Sequence, residues 1–348
     1  MLHVLPRPAG RFLVFSERGQ IPGAQVDPIF DGRAGSIGDK VWEVKRESAL
    51  PCCYWKKLPF DTVLLQTKWN TPKDETVRLI DQVRAVRPEA RVIYLDWFAP
   101  LHLPNPYIFD FVDLYVKKQA LIDRSSYATG MCDTNLVEYE AQWDPKLLPP
   151  RGAGVDQSLI DKKLYVGWNF ATSSRLIREL SRKHHENHDR LIGLHCRMHV
   201  PDTASTWYGH MRRRCLDAVQ ALQLPNALIE TTRVPRVTFL RELRASKMCF
   251  SPFGYGEVCW RDFEAVLCGA MLLKPDMSHI ETNPNIYLPY ETYVPVRWDL
   301  EDLGSKCKRY MLDEKERLRI SRNAVDVWNS YVSEAWRQQW GAVIARST

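Results

Sequence analysis

Short apolar runs alternate with helical periodicity in the first half of the chain. The runs are continuous, which is typical of strands in a parallel sheet that helices cover on both faces. They predict strands at residues 11–16, 62–66, 91–95 and 112–116. Between two of these runs, Val77, Ile80 and Val83 recur at helical spacing and predict a helix over residues 73–86.

Proline and glycine interrupt this pattern at residues 149–154, a composition typical of a linker. The alternation then starts again. The second half is predicted to contain strands at residues 164–168, 191–195, 227–230 and 247–250, and helices at 173–184, 213–222, 238–246, 314–331 and 335–345.

The two series together predict an α/β protein with two Rossmann-like, doubly wound domains that face a cleft. We place an N-terminal domain at residues 1–155, a C-terminal domain at 156–325, and C-terminal helices at 326–348 that return toward the first domain. A length of 348 residues suits two domains. Ligands of such sheets bind outside the carboxyl ends of the strands, so we expect the site in the cleft.

Composition excludes several classes of protein. The chain is 45% hydrophobic and 26% charged, as ordinary globular proteins are. Its nine cysteines lack the spacing of a zinc site or a disulfide framework, so we predict reduced structural thiols and no bound metal. No apolar run approaches the roughly 20 residues that span a bilayer, and the N-terminus lacks the apolar core of a secretory signal. We therefore expect a cytoplasmic protein.

The net charge of +6 is modest and spread out. Basic clusters such as Lys117-Lys118 and Arg212-Arg213-Arg214 lie in different segments and are typical of solvated helix faces. We therefore expect no nucleic-acid partner. The charge suits small anionic substrates or an acidic membrane surface, and peripheral association with the inner face of a membrane stays open.

The segment from Phe250 to Ala270 carries the most specific chemical signal. It is predicted to form a strand, a glycine turn and a helix. Gly254 and Gly256 would let the backbone approach a ligand closely. The N-terminus of the following helix would offer free N–H groups to a phosphate.

Three polar residues follow the turn at helical spacing. At about 100° per residue, Glu257, Arg261 and Glu264 would form one stripe. Arginine can hold a phosphate through its bidentate fork, and a carboxylate can accept both hydroxyls of a ribose. The alternative is an ordinary surface pair of glutamate and arginine.

These residues resemble a known family. The run Ser-Pro-Phe-Gly-x-Gly-Glu that ends at Glu257, the Arg-x-x-Glu-Ala run from Arg261, and the Gly-Ala-x-x-Leu-Lys-Pro run from Gly269 are similar to the donor domain of GT-B glycosyltransferases. The pattern resembles both the paired glutamates of many retaining members and the signature of exostosin-like transferases. It covers residues 236–275.

The resemblance implies roles for individual residues. Glu264 would hold the ribose of a nucleotide-sugar donor, and Glu257 would lie close to the transferred sugar. Arg261 and the turn of Gly254, Tyr255 and Gly256 would face the donor phosphate. The basic pair that retaining members carry at the start of this domain is missing, and Arg197 is the substitute that we propose for it. Retention or inversion of stereochemistry stays open.

The resemblance also implies a metal-independent enzyme without a cofactor, in which the nucleotide sugar is a substrate. An Asp-x-Asp triplet, which the metal-dependent GT-A transferases use, occurs nowhere in the sequence. A helix terminus and cationic side chains would then offset the charge of the leaving group.

The first domain supplies candidates for the other side of the cleft. Asp96 follows a predicted strand and is our candidate general base, with His102 close behind it. Lys117 and Lys118 end another strand and could contact an acceptor or a phosphate, as could Arg33 in a glycine-rich loop. Loop capping by Asp96 and solvation of the basic residues are the alternatives.

We therefore expect a glycosyltransferase that moves a sugar from a nucleotide-sugar donor to a glycan or lipid-linked saccharide, in the synthesis of a surface polysaccharide. Two alternatives remain. The donor could be a cytidine monophosphate carrying an acidic sugar, or the chain could be a non-catalytic GT-B-like module that binds a glycan or a nucleotide.

Overall fold

The computed structural model describes residues 10–30, 40–180, 190–201 and 206–346. Within them the strands β1 to β13 are, in chain order, Arg11–Ser16, Lys40–Lys45, Thr62–Leu65, Arg91–Asp96, Leu114–Lys117, Gln119–Leu121, Leu164–Val166, Ile192–Arg197, Ala227–Glu230, Ser246–Phe250, Met271–Pro275, Ile280–Thr282 and Val294–Val296.

The helices α1 to α13 are Gln20–Phe30, Arg46–Ala49, Lys73–Val86, Ser125–Thr129, Asn135–Glu140, Gln157–Lys163, Ser174–Leu180, Trp207–Gln220, Arg236–Arg244, Trp260–Leu267, Leu303–Leu312, Glu314–Ser330 and Trp336–Arg346. Short 3₁₀ helices lie at Tyr54–Lys57, Pro106–Asp110, Pro145–Leu147 and Phe170–Thr172, and a π-helical segment at Tyr331–Ala335 joins the last two α-helices.

The first sheet has six strands in the order β2-β1-β3-β4-β5-β7, all parallel. Its inner strands are buried along nearly their whole length. Helices cover both faces of such a sheet, which is why the strands are continuous apolar runs and not alternating ones.

The second sheet has five parallel strands in the order β13-β11-β10-β8-β9. The chain changes direction across this sheet between β8 and β10, which are neighbours. In open α/β sheets a ligand binds outside the carboxyl ends of the strands at such a switch point. We therefore expect a ligand site at the loops that follow β8 and β10.

The predicted boundary between the two domains is wrong for one strand. We assigned residues 164–168 to the second domain, but β7 pairs with β5 in the first sheet, with Leu164 opposite Tyr115. The segment 149–154 is not a free linker. Gly152 N donates to the backbone oxygen of Met131, just after α4, at 2.9 Å, and the next residue after the segment, Val155, donates to the backbone oxygen of Tyr127 in α4 at 3.0 Å. The chain reaches the second sheet only at β8.

The C-terminal helix packs against the first sheet. Trp340 lies 5.7 Å from the ring of Phe12 in β1 and 5.3 Å from Trp168, and Trp336 packs edge-on to Trp168. These rings belong to one buried apolar cluster with the outer face of the first sheet. A two-stranded antiparallel pair of β6 and β12 forms a second connection between the two halves of the chain.

Candidate functional site

The glycine turn leaves β10 at the switch point and docks against the other half of the molecule. A Cβ placed on Gly256 would lie 1.9 Å from the carbonyl oxygen of Ala99, which belongs to the loop after β4. Gly254 has room for a Cβ, with its nearest neighbour 3.6 Å away. Gly256 is therefore required for close approach between the two units, and Gly254 is not.

We expect Gly256→Ala to lower the free energy of unfolding by about 1–3 kcal/mol, the usual cost of forcing an atom into a packed contact. The added methyl group meets backbone, which cannot rotate away as a side chain could. Urea unfolding measures the loss. Gly254→Ala is the matched control and should unfold within about 0.5 kcal/mol of the wild type, near the range for substitutions away from such contacts. Equal stability of the two variants would contradict the tight docking.

Helix α10 begins later than the predicted polar stripe requires. It starts at Trp260, so Glu257 lies in the turn before it and not on the helix with Arg261 and Glu264. Asp262 caps the helix, since its Oδ2 accepts from Cys259 N at 2.9 Å. The same buried carboxylate also accepts from Ser251 Oγ at 2.6 Å and pairs with Lys274 at 3.1 Å. Sequence reasoning missed Asp262, although its position three residues after the N-cap is a recognisable capping signal.

Two arginines lie near the glycine turn. Arg212 in α8 is 5% exposed, and its Nη2 lies 3.8 Å from the place where a Cβ on Gly254 would be. Arg261 is the second residue of α10, which follows the turn. Burial raises the pKa of the Cys196 thiol in β8 to about 12, and the charges of Arg261 and Arg212 both oppose this rise.

Both arginines have buried N–H groups without a hydrogen-bond partner among the described residues: Nε of Arg261, and Nε and Nη1 of Arg212. Arg212 otherwise rests on the ring of Tyr208, 5.1 Å from its centroid. A buried donor without an acceptor is costly, and native structures rarely leave one. The pair is therefore suited to an anionic ligand. Arg212 was missed because the sequence shows it only within a run of three arginines.

Arg197 does not take the place of the missing basic pair. It forms a two-point ion pair with Glu242, with Nε and Nη2 at 3.0 and 2.8 Å from the carboxylate oxygens. Its Nη1 donates to Thr232 O at 2.8 Å. These bonds occupy the guanidinium of Arg197 with protein acceptors, which argues against its assignment to the donor phosphate, whereas Arg212 keeps buried N–H groups without a partner among the described residues.

The Glu264 side chain is buried, and its carboxylate forms an ion pair. One carboxylate oxygen accepts from Arg236 at the start of α9, and Arg236 also pairs with Glu179 at 2.6 Å. The Nη2 of Arg236 is buried without a hydrogen-bond partner among the described residues. The predicted carboxylate is thus accompanied by a guanidinium, a combination of acceptor and donor groups that suits the hydroxyls of a sugar diol.

Glu257 is completely buried, and its two hydrogen-bond donors come from the first half of the chain. Its Oε2 accepts from Gln119 Nε2 at 3.3 Å, and its Oε1 accepts from Thr134 Oγ1 at 3.2 Å. His279 Nε2, from the loop after β11, is 3.9 Å from Oε1. Sequence reasoning did not find these three partners, because each is more than 20 residues away along the chain. The glutamate therefore lies where the two units meet.

The structure contradicts the assignment of Asp96 as a general base. Asp96 and Lys117 are both fully buried and form an ion pair of 2.8 Å. Tyr115 OH donates to Oδ2 at 2.8 Å and Phe98 N to Oδ1 at 2.9 Å. Neither side chain has any surface exposed among the described residues, so neither the carboxylate nor the Lys117 ammonium can contact a substrate in this arrangement. Both residues hold the carboxyl ends of β4 and β5 together.

Lys118 differs from Lys117 because its ammonium group has no hydrogen-bond partner in the part of the chain that the structure describes. It is buried and lies 4.1 Å above the ring of Phe170, which stacks on Trp260 at the start of α10. Burial, together with the adjacent Lys117 charge, lowers the pKa of Lys118 to about 7. An anion bound near the start of α10 would offset the free-energy cost of burying this ammonium group.

His102 lies beside the ion pair of Asp96 and Lys117. Its Nδ1 is 3.0 Å from the Asp133 carboxylate, and Lys117 Nζ donates to its backbone oxygen at 3.0 Å. Burial, and then the Lys117 charge, lower the pKa of His102 to about 4. The imidazole is therefore neutral near pH 7.

Tyr255 projects from the turn with 61% of its surface exposed. Its ring stacks on Tyr208 of α8 at 4.2 Å, and Trp207 meets it edge-on. The remaining predicted residue, Arg33, lies outside the described residues.

In the described part of the chain no group of three or more histidine, cysteine or acidic side chains could hold a metal ion. Over the same residues, no helix combines the length and apolar character needed to cross a bilayer. All nine cysteines are unpaired, and six of them are buried.

No protein-family model and no curated protein matches this sequence. Solved structures do match. An α-glucosyltransferase in complex with UDP is similar over 97% of this chain and 100% of its own, with a TM-score of 0.53 and 11% identity. A glycosyltransferase from Rickettsia africae ESF-5 is similar over 97% and 99%, with a TM-score of 0.52 and 10% identity.

The expectation of no nucleic-acid partner is contradicted by two further structures. An α-glucosyltransferase in complex with UDP and a 13-mer DNA containing a HMU base is similar over 97% of this chain and 100% of its own, with a TM-score of 0.54 and 11% identity. A second, at 12% identity and a TM-score of 0.52, holds UDP-glucose and DNA containing an abasic site. A dispersed positive charge was therefore an insufficient reason to exclude nucleic acid.

These matches extend over nearly the whole chain and include both sheets. At identities of 10–12% they show a shared fold. The chain thus has the two-unit α/β architecture of the GT-B glycosyltransferases, as its donor-domain motif predicted.

Proposed function

We propose that this protein is a glycosyltransferase that moves a sugar from a nucleotide-sugar donor to an acceptor bound against the first unit. The observation that carries the proposal is a pair of arginines near the glycine turn, Arg212 and Arg261, each with at least one buried N–H group that has no hydrogen-bond partner among the described residues. A donor diphosphate would accept their hydrogen bonds, which are strong because both groups are charged.

The other groups fit around a diphosphate in this position. The carboxylate of Glu264 would accept the ribose hydroxyls, with Arg236 beside it. Glu257, held by Gln119 and Thr134, would lie next to the transferred sugar. A fixed negative charge there stabilises the positive charge that develops on the sugar during transfer. Lys118 would approach the donor phosphate or an anionic acceptor from the opposite side.

We propose UDP as the nucleotide, because the similar α-glucosyltransferase was solved with it. A cytidine monophosphate donor with an acidic sugar is the alternative. We further propose that no divalent metal is required, since the guanidiniums and the N-terminus of α10 can offset the leaving-group charge. We also propose that the enzyme acts in the cytoplasm, in the synthesis of a surface polysaccharide.

Two acceptors deserve a direct comparison. The sequence motif favours a glycan or a lipid-linked saccharide. The structural similarity to a glucosyltransferase in complex with DNA favours a DNA base as the second candidate. The two are distinguished by supplying UDP-glucose with either a polyprenyl-linked saccharide or a 13-mer DNA that contains a HMU base, and by following the release of UDP.

Nucleotide binding tests the donor half of the proposal. We expect UDP at 100 times its dissociation constant to add about 2.7 kcal/mol of stability, visible as a rise in Tm. EDTA should leave the rise unchanged, and CMP should give a smaller one. The absence of a rise with UDP, CDP and CMP alike would contradict the proposed function. Binding of UDP without transfer to any acceptor would instead favour a non-catalytic module.

A further inference from the structure

Helix α8, which carries Arg212, is held from its other side by the first unit. The contact comes from α5, in the excursion between β6 and β7, and β7 belongs to the first sheet. Helix α8 follows β8 of the second sheet. The contact between α5 and α8 therefore joins the two units at the helix that provides the phosphate-binding arginine.

The contact centres on a buried carboxylate. Glu140 is 2% exposed, and its Oε2 is 2.6 Å from Nδ1 of His210 and 3.4 Å from Nε of Arg214. Burial raises the pKa of Glu140, and both partners oppose this rise. The two partners are four residues apart on α8 and so lie on one face of the helix.

Aromatic rings enclose this ion pair. The guanidinium of Arg214 lies 3.8 Å from the centroid of Trp143, and its Nη2 donates to the backbone oxygen of Trp298 at 3.0 Å. Tyr139 packs edge-on against both Trp143 and Trp298. The carboxylate at the centre of this contact is buried, so its attraction to the two cations is screened less than in a fully exposed pair.

Arg212 lies on the opposite side of α8. At about 100° per residue, it is rotated by roughly 200° from both His210 and Arg214. One face of the helix is thus fixed by Glu140, and the other directs Arg212 toward Gly254. A shift of α8 would move both faces together, because a helix of this length behaves as a rigid element.

We infer that Glu140 is a positioning residue for donor binding: it holds α8 so that Arg212 faces the glycine turn, and it couples nucleotide affinity to the apposition of the two units. This inference rests on the proposed function. The coupling is reciprocal, so a bound nucleotide also favours the arrangement in which α5 of the first unit contacts α8 of the second. The expected strength is about tenfold in affinity, within the usual range for such coupling.

The test compares two glutamate-to-glutamine substitutions on the same short helix, α5. Glu140→Gln keeps the size of the side chain and removes its charge, and we expect the Kd for UDP to rise about tenfold in titration calorimetry. Glu138→Gln is the matched control, because within the described ranges Glu138 has one ion-pair partner, the exposed Arg151 at 3.0 Å. Its Kd should stay within twofold of the wild type.

A second measurement separates positioning from mere structural support. In X-ray scattering, Glu140→Gln without nucleotide should have a larger radius of gyration than the wild type, and saturating UDP should restore the compact value. Arg214→Met should show the same loss of affinity. The double variant should be no weaker than either single variant if the two residues act through one contact.

The outcomes distinguish this inference from the proposed function. If the wild type binds UDP and Glu140→Gln binds it equally well, the coupling is refuted and the donor site stands. If the wild type does not bind UDP, the proposed function fails first. If Glu140→Gln does not fold, Arg214→Met decides: unchanged UDP affinity in that variant refutes the coupling, and a tenfold loss supports it.

Discussion

Replacing Asp96 by asparagine is expected to reduce the free energy of unfolding by about 3–5 kcal/mol, the cost of breaking a buried ion pair by removing one partner. The substitution leaves the ammonium of Lys117 buried at the carboxyl end of β5 without its counter-charge. The amide oxygen can replace only one of the two carboxylate oxygens, so either Tyr115 OH or Phe98 N also loses its acceptor. The unpaired charge and this lost hydrogen bond together account for the loss.

Chemical denaturation measures this loss, with Glu47→Gln as the control. Glu47 pairs with Arg18 at 2.6 Å on the surface, where both side chains are largely exposed, and an exposed pair contributes about 0–1 kcal/mol. The double variant Asp96→Asn with Lys117→Met should recover part of the stability, because it removes both charges. Wild-type stability together with lost sugar transfer would restore Asp96 as a catalytic base.

The second large effect is expected at Arg212. Arg212→Met should weaken UDP binding about ten- to hundredfold, because hydrogen bonds to charged groups contribute about 1.5–3 kcal/mol and every 1.4 kcal/mol is tenfold. The free protein should unfold at the same temperature as the wild type or at a higher one. The substitution removes two buried N–H groups that have no partner among the described residues and keeps much of the apolar stem.

Calorimetric titration with UDP measures this effect, and Arg213→Met is its control. Arg213 is the next residue on α8 and is exposed, so its removal should change the Kd less than twofold. Arg261→Met should reproduce the loss, because both guanidiniums would contact the same anion. Undiminished UDP affinity in both Arg212→Met and Arg261→Met would place the nucleotide elsewhere.

Local sequence patterns predicted most of the secondary structure. The helix at Lys73–Val86 and the strands at Arg11–Ser16 and Ala227–Glu230 have the predicted bounds. Apolar periodicity reports on which face of an element is buried, and this information is local to the element. Helix α1 was not predicted, because Pro22, Gly23 and Pro28 are poor helix formers.

Contacts distant in sequence hold α1 in place instead. Gln25 Nε2 donates to the backbone oxygen of Asp96 at 3.1 Å, and Trp168 Nε1 donates to the backbone oxygen of Gln25 at 2.6 Å. Long-range pairing also decides the position of β7. It pairs with β5, although β6 and three α-helices lie between the two strands along the chain. Tertiary packing overrides weak local preference in both cases.

By itself the sequence determined that two α/β units exist and that a glycine turn with Arg261 follows a strand of the second. A close glycine turn and a strand-to-helix transition are encoded by neighbouring residues, so they can be seen without a structure. Only the tertiary structure decided which charges are free. Asp96 and Arg197 are neutralised by partners 21 and 45 residues away, whereas Arg212 and Lys118 have buried polar atoms without a hydrogen-bond partner among the described residues. The chemistry of a charged group depends on its burial and on its partners, and folding sets both.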